Sequence, residues 1–219
     1  MKASTIVCVC AGLLAVSSGA AFADTTYSGT ALSGLLYLGD SGDAQYVTSP
    51  AAARLSTPDS GTTGDSPAVF VKGPLGKLSA FSASYTLLDF TGPSNSQPYW
   101  NIVVSPNGDS VDTVRIISMG GSPLDITSAV HAYNNDYSAS VGSWGNTVGA
   151  LCALTYNGHT IGDMTVNWAG VEIGDWDNGT QTIPASADIQ SITVVPEPAS
   201  LALLGLGGLL LMPRRRRSN

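Results

Sequence analysis

Carboxyl groups that could pair as an acid and a base are the first residues to consider for chemistry in this chain. Hydrolysis of a glycosidic bond needs two opposed carboxyl groups, one of which donates a proton. Glu172 could form such a pair with Asp175 or Asp177. However, Glu172 is the only glutamate between residues 24 and 195, and aspartates at strand ends usually cap turns. We therefore expect no catalytic residues and no enzyme activity, and a secreted glycoside hydrolase is kept as an alternative function.

Metal ligands are the second possibility, and the motifs for them are incomplete. His131 and His159 lie in no H-E-x-x-H pattern. Calcium, which prefers oxygen ligands, could bind at loops that contain Asn107, Asp109 and Asp112, Asp40 with Asp43, or Asp175 with Asp177. An EF-hand-type loop would need Asp where Ser105 stands and Glu or Asp where Ile116 stands. Because the same residues are typical of turns, we expect no metal site and no cofactor, with calcium left open.

The four tryptophans are the third candidate group, because aromatic faces stack on sugar rings. Trp144 and Trp176 are flanked by glycine, serine and aspartate, which indicates exposed positions. These two residues are therefore the predicted sugar-binding residues. Trp100 and Trp168 lie in strand-like patterns, which places both in the predicted core.

Short apolar runs separated by turn residues must position these side chains. The runs are Leu32–Leu38, Ala68–Val71, Leu78–Phe90, Tyr99–Val104, Val111–Ser118, Thr165–Ile173 and Ile189–Val195. Pairs such as Gly92-Pro93 and Asn107-Gly108 mark reversals between them. This spacing is typical of a β-sandwich or a barrel. We predict a mainly β fold, with a single sandwich domain over residues 24–195.

Two local elements can be predicted in more detail. Tyr99 to Met119 forms the clearest hairpin, with Asn107-Gly108 supplying the positive φ angles of a tight reversal. One helix is predicted after Asn146, which could cap it, and Asn157-Gly158 would stop it. A strand through Val148–Leu154 fits that segment nearly as well.

The closing part of this domain carries a resemblance of its own. Gly174-Asp175-Trp176, followed by the strand-like segment Ala187–Val194, resembles the end of jelly-roll domains in exported bacterial proteins. The resemblance implies a jelly-roll-like sandwich of the carbohydrate-binding kind.

The charge of residues 24–195 restricts the partners of this region. Its basic side chains are Arg54, Lys72, Lys77 and Arg115, against fourteen aspartates and one glutamate. Such an acidic body repels nucleic acid and anionic membranes, so we expect neither as a partner. Cations and neutral glycans are the compatible partners. Cys152 is the only cysteine of the region, so no disulfide can form within it, and we expect a buried small side chain there.

The N-terminal sequence is typical of a signal peptide. Lys2 precedes an apolar stretch from about Ile6 to Val16, and Ala21-Phe22-Ala23 provides the small residues that signal peptidase requires. We therefore expect removal of residues 1–23 and a mature chain that starts at Asp24.

The C-terminus carries a second signal, in residues 196–219. Pro196, Glu197 and Pro198 precede an apolar run from Ala199 to Met212, which as a helix is about 21 Å long at ~1.5 Å per residue. A cluster follows it: Arg214, Arg215, Arg216 and Arg217. Clustered arginines beside an apolar helix stay in the cytoplasm, so we predict a short transmembrane helix with a membrane-stop signal.

These terminal residues resemble the PEP-CTERM sorting domain. The resemblance implies that exosortase recognises and processes the tail, and that the protein is associated with exopolysaccharide. It implies export, a temporary anchor in the inner membrane, and a final position at the cell surface or outside the cell. The function expected first is therefore that of a non-enzymatic surface or matrix protein. A specific carbohydrate-binding module is the alternative, ahead of the hydrolase.

Overall fold

The computed structural model describes residues 24–38, 43–57, 66–134, 136–174 and 184–195. The predicted signal peptide, Trp176 and the predicted sorting tail lie outside these ranges. The described part is mainly β, with several antiparallel sheets that include a curled half-barrel. The mainly β character predicted from the apolar runs is therefore confirmed.

The strands follow one another with short connections in most places. They are β1 (Thr25–Ser28), β2 (Leu36–Tyr37), β3 (Asp43–Thr48), β4 (Ala51–Thr57), β5 (Ala68–Lys72), β6 (Ser82–Thr91), β7 (Tyr99–Ser105), β8 (Val114–Ser118), β9 (Ala129–Asn134), β10 (Asn146–Thr147), β11 (Thr155–Tyr156), β12 (His159–Thr160), β13 (Thr165–Glu172) and β14 (Ala185–Val195). One short α-helix, α1, covers Val148–Cys152. The 3-10 helices are Gly29–Leu35, Leu78–Ala80, Ser94–Ser96 and Ile161–Asp163.

Two larger sheets organise these strands. The seven-stranded sheet has the order β10-β9-β8-β7-β13-β5-β2. The five-stranded sheet has the order β1-β14-β4-β3, with β6 also paired to β14. Strands β11 and β12 form a separate two-stranded sheet.

Both larger sheets contribute to one apolar cluster. From the seven-stranded sheet, Trp100, Ile102 and Val104 alternate inward along β7. From the five-stranded sheet, Leu55 and Ile189 are fully buried in the same cluster. Side chains alternate between the two faces of a strand, so the residues between these inward positions lie on the outer face. The outer face of the seven-stranded sheet holds the candidate site.

The predicted hairpin from Tyr99 to Met119 is confirmed, with a longer connection than expected. β7 pairs with β8, so that Ile102 lies opposite Ile116. Residues 106–113 connect the strands, and within them Gly108 has a positive φ of 74° whereas Asn107 does not. The tight two-residue reversal predicted at Asn107-Gly108 is therefore wrong.

The predicted helix exists but is a single short turn. It covers Val148–Cys152, and its cap is Thr147 rather than Asn146. The Thr147 hydroxyl accepts a hydrogen bond of 3.1 Å from the Ala150 N–H, which satisfies one of the free amides of the first turn.

Asn157-Gly158 does not stop that helix. With φ angles of 48° and 84°, these residues form the reversal between β11 and β12. The predicted run Leu32–Leu38 also differs, since most of it belongs to the 3-10 helix Gly29–Leu35. Cys152, expected to be buried, is half-buried, and burial raises the pKa of its thiol.

Candidate functional site

Aromatic side chains form a continuous line across the outer face of the seven-stranded sheet. We call this line the aromatic row, and it consists of Tyr37, Phe70, Trp168, Arg115, Tyr137, Tyr133, His131 and Trp144. Each member contacts the next, and a guanidinium group connects the two halves. Its strand residues alternate with core residues, as Phe70 does with Val69 and Val71.

The first half of the row runs from β2 to β13. The ring centroids of Tyr37 and Phe70 are 5.4 Å apart. Phe70 meets Trp168 edge-on, with centroids 4.5 Å apart and an interplanar angle of 65°. The Arg115 guanidinium carbon lies 5.5 Å from the Trp168 ring centroid. Edge-to-face and cation–π geometries of this kind are favourable for aromatic rings.

The second half of the row runs from Arg115 to Trp144. The Arg115 guanidinium lies 5.0 Å from the Tyr137 centroid, and Tyr137 lies 5.5 Å from Tyr133. His131 lies between two rings, 4.2 Å from Tyr133 and 4.0 Å from Trp144, centroid to centroid. The row therefore ends on an exposed indole.

Trp168 reaches the outer face because β13 contains a bulge. The pairing of β13 with β7 shifts by one residue between Val166 and Trp168, and Asn167 is the additional residue. Val166 is buried in the core, so strict alternation would direct Trp168 into the core as well. The bulge moves Trp168 to the opposite face, where it is half-buried. The prediction of Trp168 as a core residue is therefore wrong, whereas Trp100 is fully buried as predicted.

A glycine makes room for the Phe70 ring. Gly170 on β13 lies opposite Phe70 on β5. A Cβ atom at Gly170 would lie 1.9 Å from Phe70 Cδ1, far inside van der Waals contact. The bare backbone at this position therefore allows the ring to lie across β13 and reach Trp168.

Buried polar groups support the centre of the row from below. The Tyr99 hydroxyl donates to Glu172 Oε2 at 3.1 Å, and Asn101 Nδ2 donates to Glu172 Oε1 at 2.9 Å. The Tyr137 hydroxyl lies 3.4 Å from the same Asn101 nitrogen and accepts from Arg115 Nη1 at 3.1 Å. Burial and the neighbouring Glu172 raise the pKa of Tyr99 well above its usual value, so its proton stays in place as a donor.

His131 is held as a nearly buried member of the row. Its Nε2 atom lies 3.0 Å from the Ser140 hydroxyl. Its Nδ1 atom is buried and has no hydrogen-bond partner among the described residues. Burial lowers the pKa of the imidazole, so the neutral ring is favoured between Tyr133 and Trp144.

The structure places the predicted sugar-binding and catalytic candidates as follows. Trp144 is 49% exposed and lies at the end of the row. Trp176 lies outside the described residues, as do Asp175 and Asp177. Glu172 is buried, and both of its carboxylate oxygens accept hydrogen bonds, so it serves the support network described above.

Two of the calcium candidates that the structure describes have separate hydrogen-bond partners. The Asp109 carboxylate accepts from the Val111 N–H at 3.0 Å, and the Asp112 carboxylate accepts from Asn157 Nδ2 at 2.7 Å. Within the described ranges, no three side chains from His, Cys, Asp and Glu gather in a group that could hold a metal ion. Asp40 lies outside these ranges.

Pro196, Glu197, Pro198 and the arginine cluster lie outside the described residues. Of the helices that the structure does describe, none has the length and apolar character to cross a bilayer. The chain matches no protein-family model, and no curated protein matches it.

Of the eight members of the row, only Trp144 is predicted from the sequence as a binding residue. Five members carry no predicted function: Tyr37, Phe70, Arg115, Tyr133 and Tyr137. A local signal for some of them is present, because Phe70 and Tyr133 each follow a buried residue within a strand. That signal places a ring on the outer face without showing which other rings are nearby. The arrangement presents a strip of flat apolar rings with a guanidinium at its centre, which suits stacking against a ligand with apolar faces and polar edges.

Proposed function

We propose that this chain is an exported, non-enzymatic protein of the cell surface or extracellular matrix that binds exopolysaccharide through the aromatic row. The row itself is the observation that carries this proposal. Aromatic side chains supply large, rigid, amphipathic contact surfaces at low conformational cost. A pyranose ring has apolar C–H faces and hydroxyl edges, so it can stack on such a surface while its hydroxyl groups remain in water.

The extent of the row favours a polysaccharide chain over a free sugar. Tyr37, Tyr137 and Trp144 are 39%, 44% and 49% exposed, so rings are accessible near both ends and at the centre. From β2 to β9 the row crosses five inter-strand spacings, about 24 Å along the sheet at ~4.8 Å each. That length is more than one sugar ring can cover.

The support below the row favours binding with little rearrangement. Tyr137 stands beside the Arg115 and Asn101 side chains, and Asn101 is itself tied to the buried Glu172. A ring that is already held in position loses little freedom when a ligand docks.

Binding to immobilised polysaccharide tests the proposal. We expect Trp144→Ala and Tyr137→Ala each to raise Kd at least about fivefold, because truncating an interface anchor costs more than about 1 kcal/mol. Leu88→Ala is the matched control, since Leu88 is a 40% exposed apolar residue on β6 of the other large sheet. Equal binding by the parent and both aromatic variants would contradict the proposal.

The sorting part of the proposal is supported by two terminal motifs. These are the small residues of Ala21-Phe22-Ala23 and the tail that begins at Pro196 and ends in the arginine cluster. Signal peptidase removes residues 1–23, exosortase acts at Pro196-Glu197-Pro198, and the arginine cluster holds the tail in the inner membrane until then. Replacing these three residues by alanine should leave export intact while uncut protein accumulates in the membrane fraction. Replacing the four arginines by serine is the comparison, and it should impair membrane retention instead. Normal processing of the triple-alanine protein in cells that contain exosortase would exclude this role for the motif.

We propose the finer fold as one jelly-roll-like sandwich domain over residues 24–195. The support is the shared apolar cluster, to which Leu55 of the five-stranded sheet and Ile102 of the seven-stranded sheet both contribute. An experimental structure of the mature protein tests this, and two separately packed units would exclude it.

A further inference from the structure

A pocket lies at the β2–β5 end of the aromatic row. Its volume is about 230 Å³, and its lining includes Tyr27, Tyr37, Phe70 and Lys72. Tyr37 and Phe70 are also members of the row, so the pocket adjoins the row at the edge of the sheet. The rest of its lining is Gly34, Leu35, Leu36 and Val71. Aromatic walls together with one ammonium group suit a sugar residue that carries a negative charge.

Charge on the seven-stranded sheet is distributed differently from charge on the whole body. The strands of this sheet contain two cations, Lys72 and Arg115, and one acid, Glu172, which is buried and hydrogen-bonded. Lys72 lies directly opposite Trp168 in the pairing of β5 with β13, and Arg115 packs on the Trp168 ring. Both cations of this sheet therefore lie near Trp168, Arg115 at its ring and Lys72 at the paired position of the neighbouring strand.

The remaining two cations of the body are already paired elsewhere. Arg54 forms a bidentate ion pair with Asp188 at 2.7 Å, and Lys77 lies 3.4 Å from Asp163. Lys72 is exposed and forms no ion pair with any residue that the structure describes. Its ammonium group is the one best placed to meet a ligand at the row.

We infer that the aromatic row binds a polysaccharide whose repeating unit carries a carboxylate, and that this carboxylate binds Lys72 at the pocket. This inference rests on the proposed polysaccharide-binding function. The negative net charge of residues 24–195 does not prevent a carboxylate from binding Lys72. At physiological salt, charges more than about 8 Å away are largely screened. Net charge alone predicts neutral glycans as ligands. At this site we infer an acidic glycan instead, because the cations Lys72 and Arg115 dominate the local charge.

The experiment measures binding of the mature protein to polysaccharides with and without their carboxylates. Polygalacturonate carries its carboxylate on the sugar ring, and its carboxyl-reduced form is the neutral counterpart. Succinoglycan carries carboxylates on substituents, and the polymer without its acyl and pyruvate groups is the neutral counterpart. We expect tighter binding to at least one acidic form than to its neutral counterpart, and weakening of that binding by added salt. The polymer pair that shows the difference identifies the source of the carboxylate.

Substitution of the lysine tests the assignment to Lys72. Lys72→Gln should weaken binding to the acidic polymer about two- to fivefold, as expected for an exposed ion pair, and leave binding to the neutral polymer unchanged. Lys72→Arg should retain most of the affinity. Lys77→Gln is the matched control, because Lys77 is an exposed lysine that is paired with Asp163 and is not a member of the row, and it should change neither value.

The outcomes separate this inference from the function on which it rests. Equal affinity for the acidic and neutral forms of both polymers would overturn the inference and leave polysaccharide binding in place. An equal loss in Lys72→Gln and Lys77→Gln would overturn the assignment to Lys72. No binding to any of these polymers or to neutral glucans would refute the proposed function itself.

Discussion

Gly170 provides the sharpest test of how the aromatic row is built. In Gly170→Ala, the new Cβ would lie 1.9 Å from Phe70 Cδ1 and 2.1 Å from Cε1, so the ring must leave its place. Displacing it breaks the edge-on contact with Trp168, now 4.5 Å between centroids. Overpacking costs about 1–3 kcal/mol, and loss of an aromatic pair about 0.5–1.5 kcal/mol. Alanine regains about 0.5–1 kcal/mol over glycine within a strand. We expect a net loss of about 0.5–4 kcal/mol in the free energy of unfolding.

Urea denaturation of four proteins isolates the steric cause. These are the parent, Gly170→Ala, Phe70→Ala and the double variant. Without the Phe70 ring, the space over Gly170 is open, so adding the methyl group there should be neutral or slightly stabilising. The glycine term cancels in the double-mutant cycle, which should therefore give a coupling energy of about 1.5–4.5 kcal/mol between the two positions.

The same variants should also report on ligand binding. Phe70 belongs to the first half of the row, and Gly170 lies opposite it. Because Gly170→Ala displaces the Phe70 ring, it should weaken polysaccharide binding while Trp144 keeps its exposure. A cost of Gly170→Ala that is identical with and without the Phe70 ring would refute the steric reasoning. If the double-mutant cycle shows coupling but Gly170→Ala binds polysaccharide like the parent, the row packs as described but does not bind polysaccharide as proposed.

Three further predictions concern buried members of the same sheet. Trp100→Ala should lower the free energy of unfolding by about 3–5 kcal/mol, whereas Trp144→Ala should lower it by about 1 kcal/mol, and denaturation midpoints in the reverse order would contradict this. Glu172→Gln should cost about 1–3 kcal/mol, because a carboxylate that accepts two hydrogen bonds is replaced by a group with only one acceptor; Tyr99→Phe in that background should then cost less than in the parent. The pKa of His131 is lowered from 6.5 by burial, so below that pH the unfolded chain binds the proton more tightly than the folded protein. Stability should therefore fall as the pH drops through 6.5, and His131→Gln should reduce that slope; an unchanged slope between pH 7.5 and 5 would show that the histidine is not responsible.

The sequence by itself determined the mainly β character of the described part and several of its strands. Turn residues and the period-two alternation act between near neighbours, so they can be read along the chain. The hairpin of β7 and β8 and the burial of Trp100 follow from this local pattern. The exposure of Trp144 follows in the same way from its glycine- and serine-rich flanks. The sorting signals at both ends are likewise local motifs, and they stay predictions.

Only the tertiary structure decided which residues form the aromatic row. Its members come from positions as far apart as Tyr37 and Trp168, and strand order, which no local pattern specifies, brings them together. A single inserted residue at Asn167 reverses the face on which Trp168 lies, because strand side chains alternate with a period of two. Whether an aromatic residue is buried or available to a ligand therefore depends on register, and register is set by pairing with β5 and β7 rather than by the sequence of β13 alone.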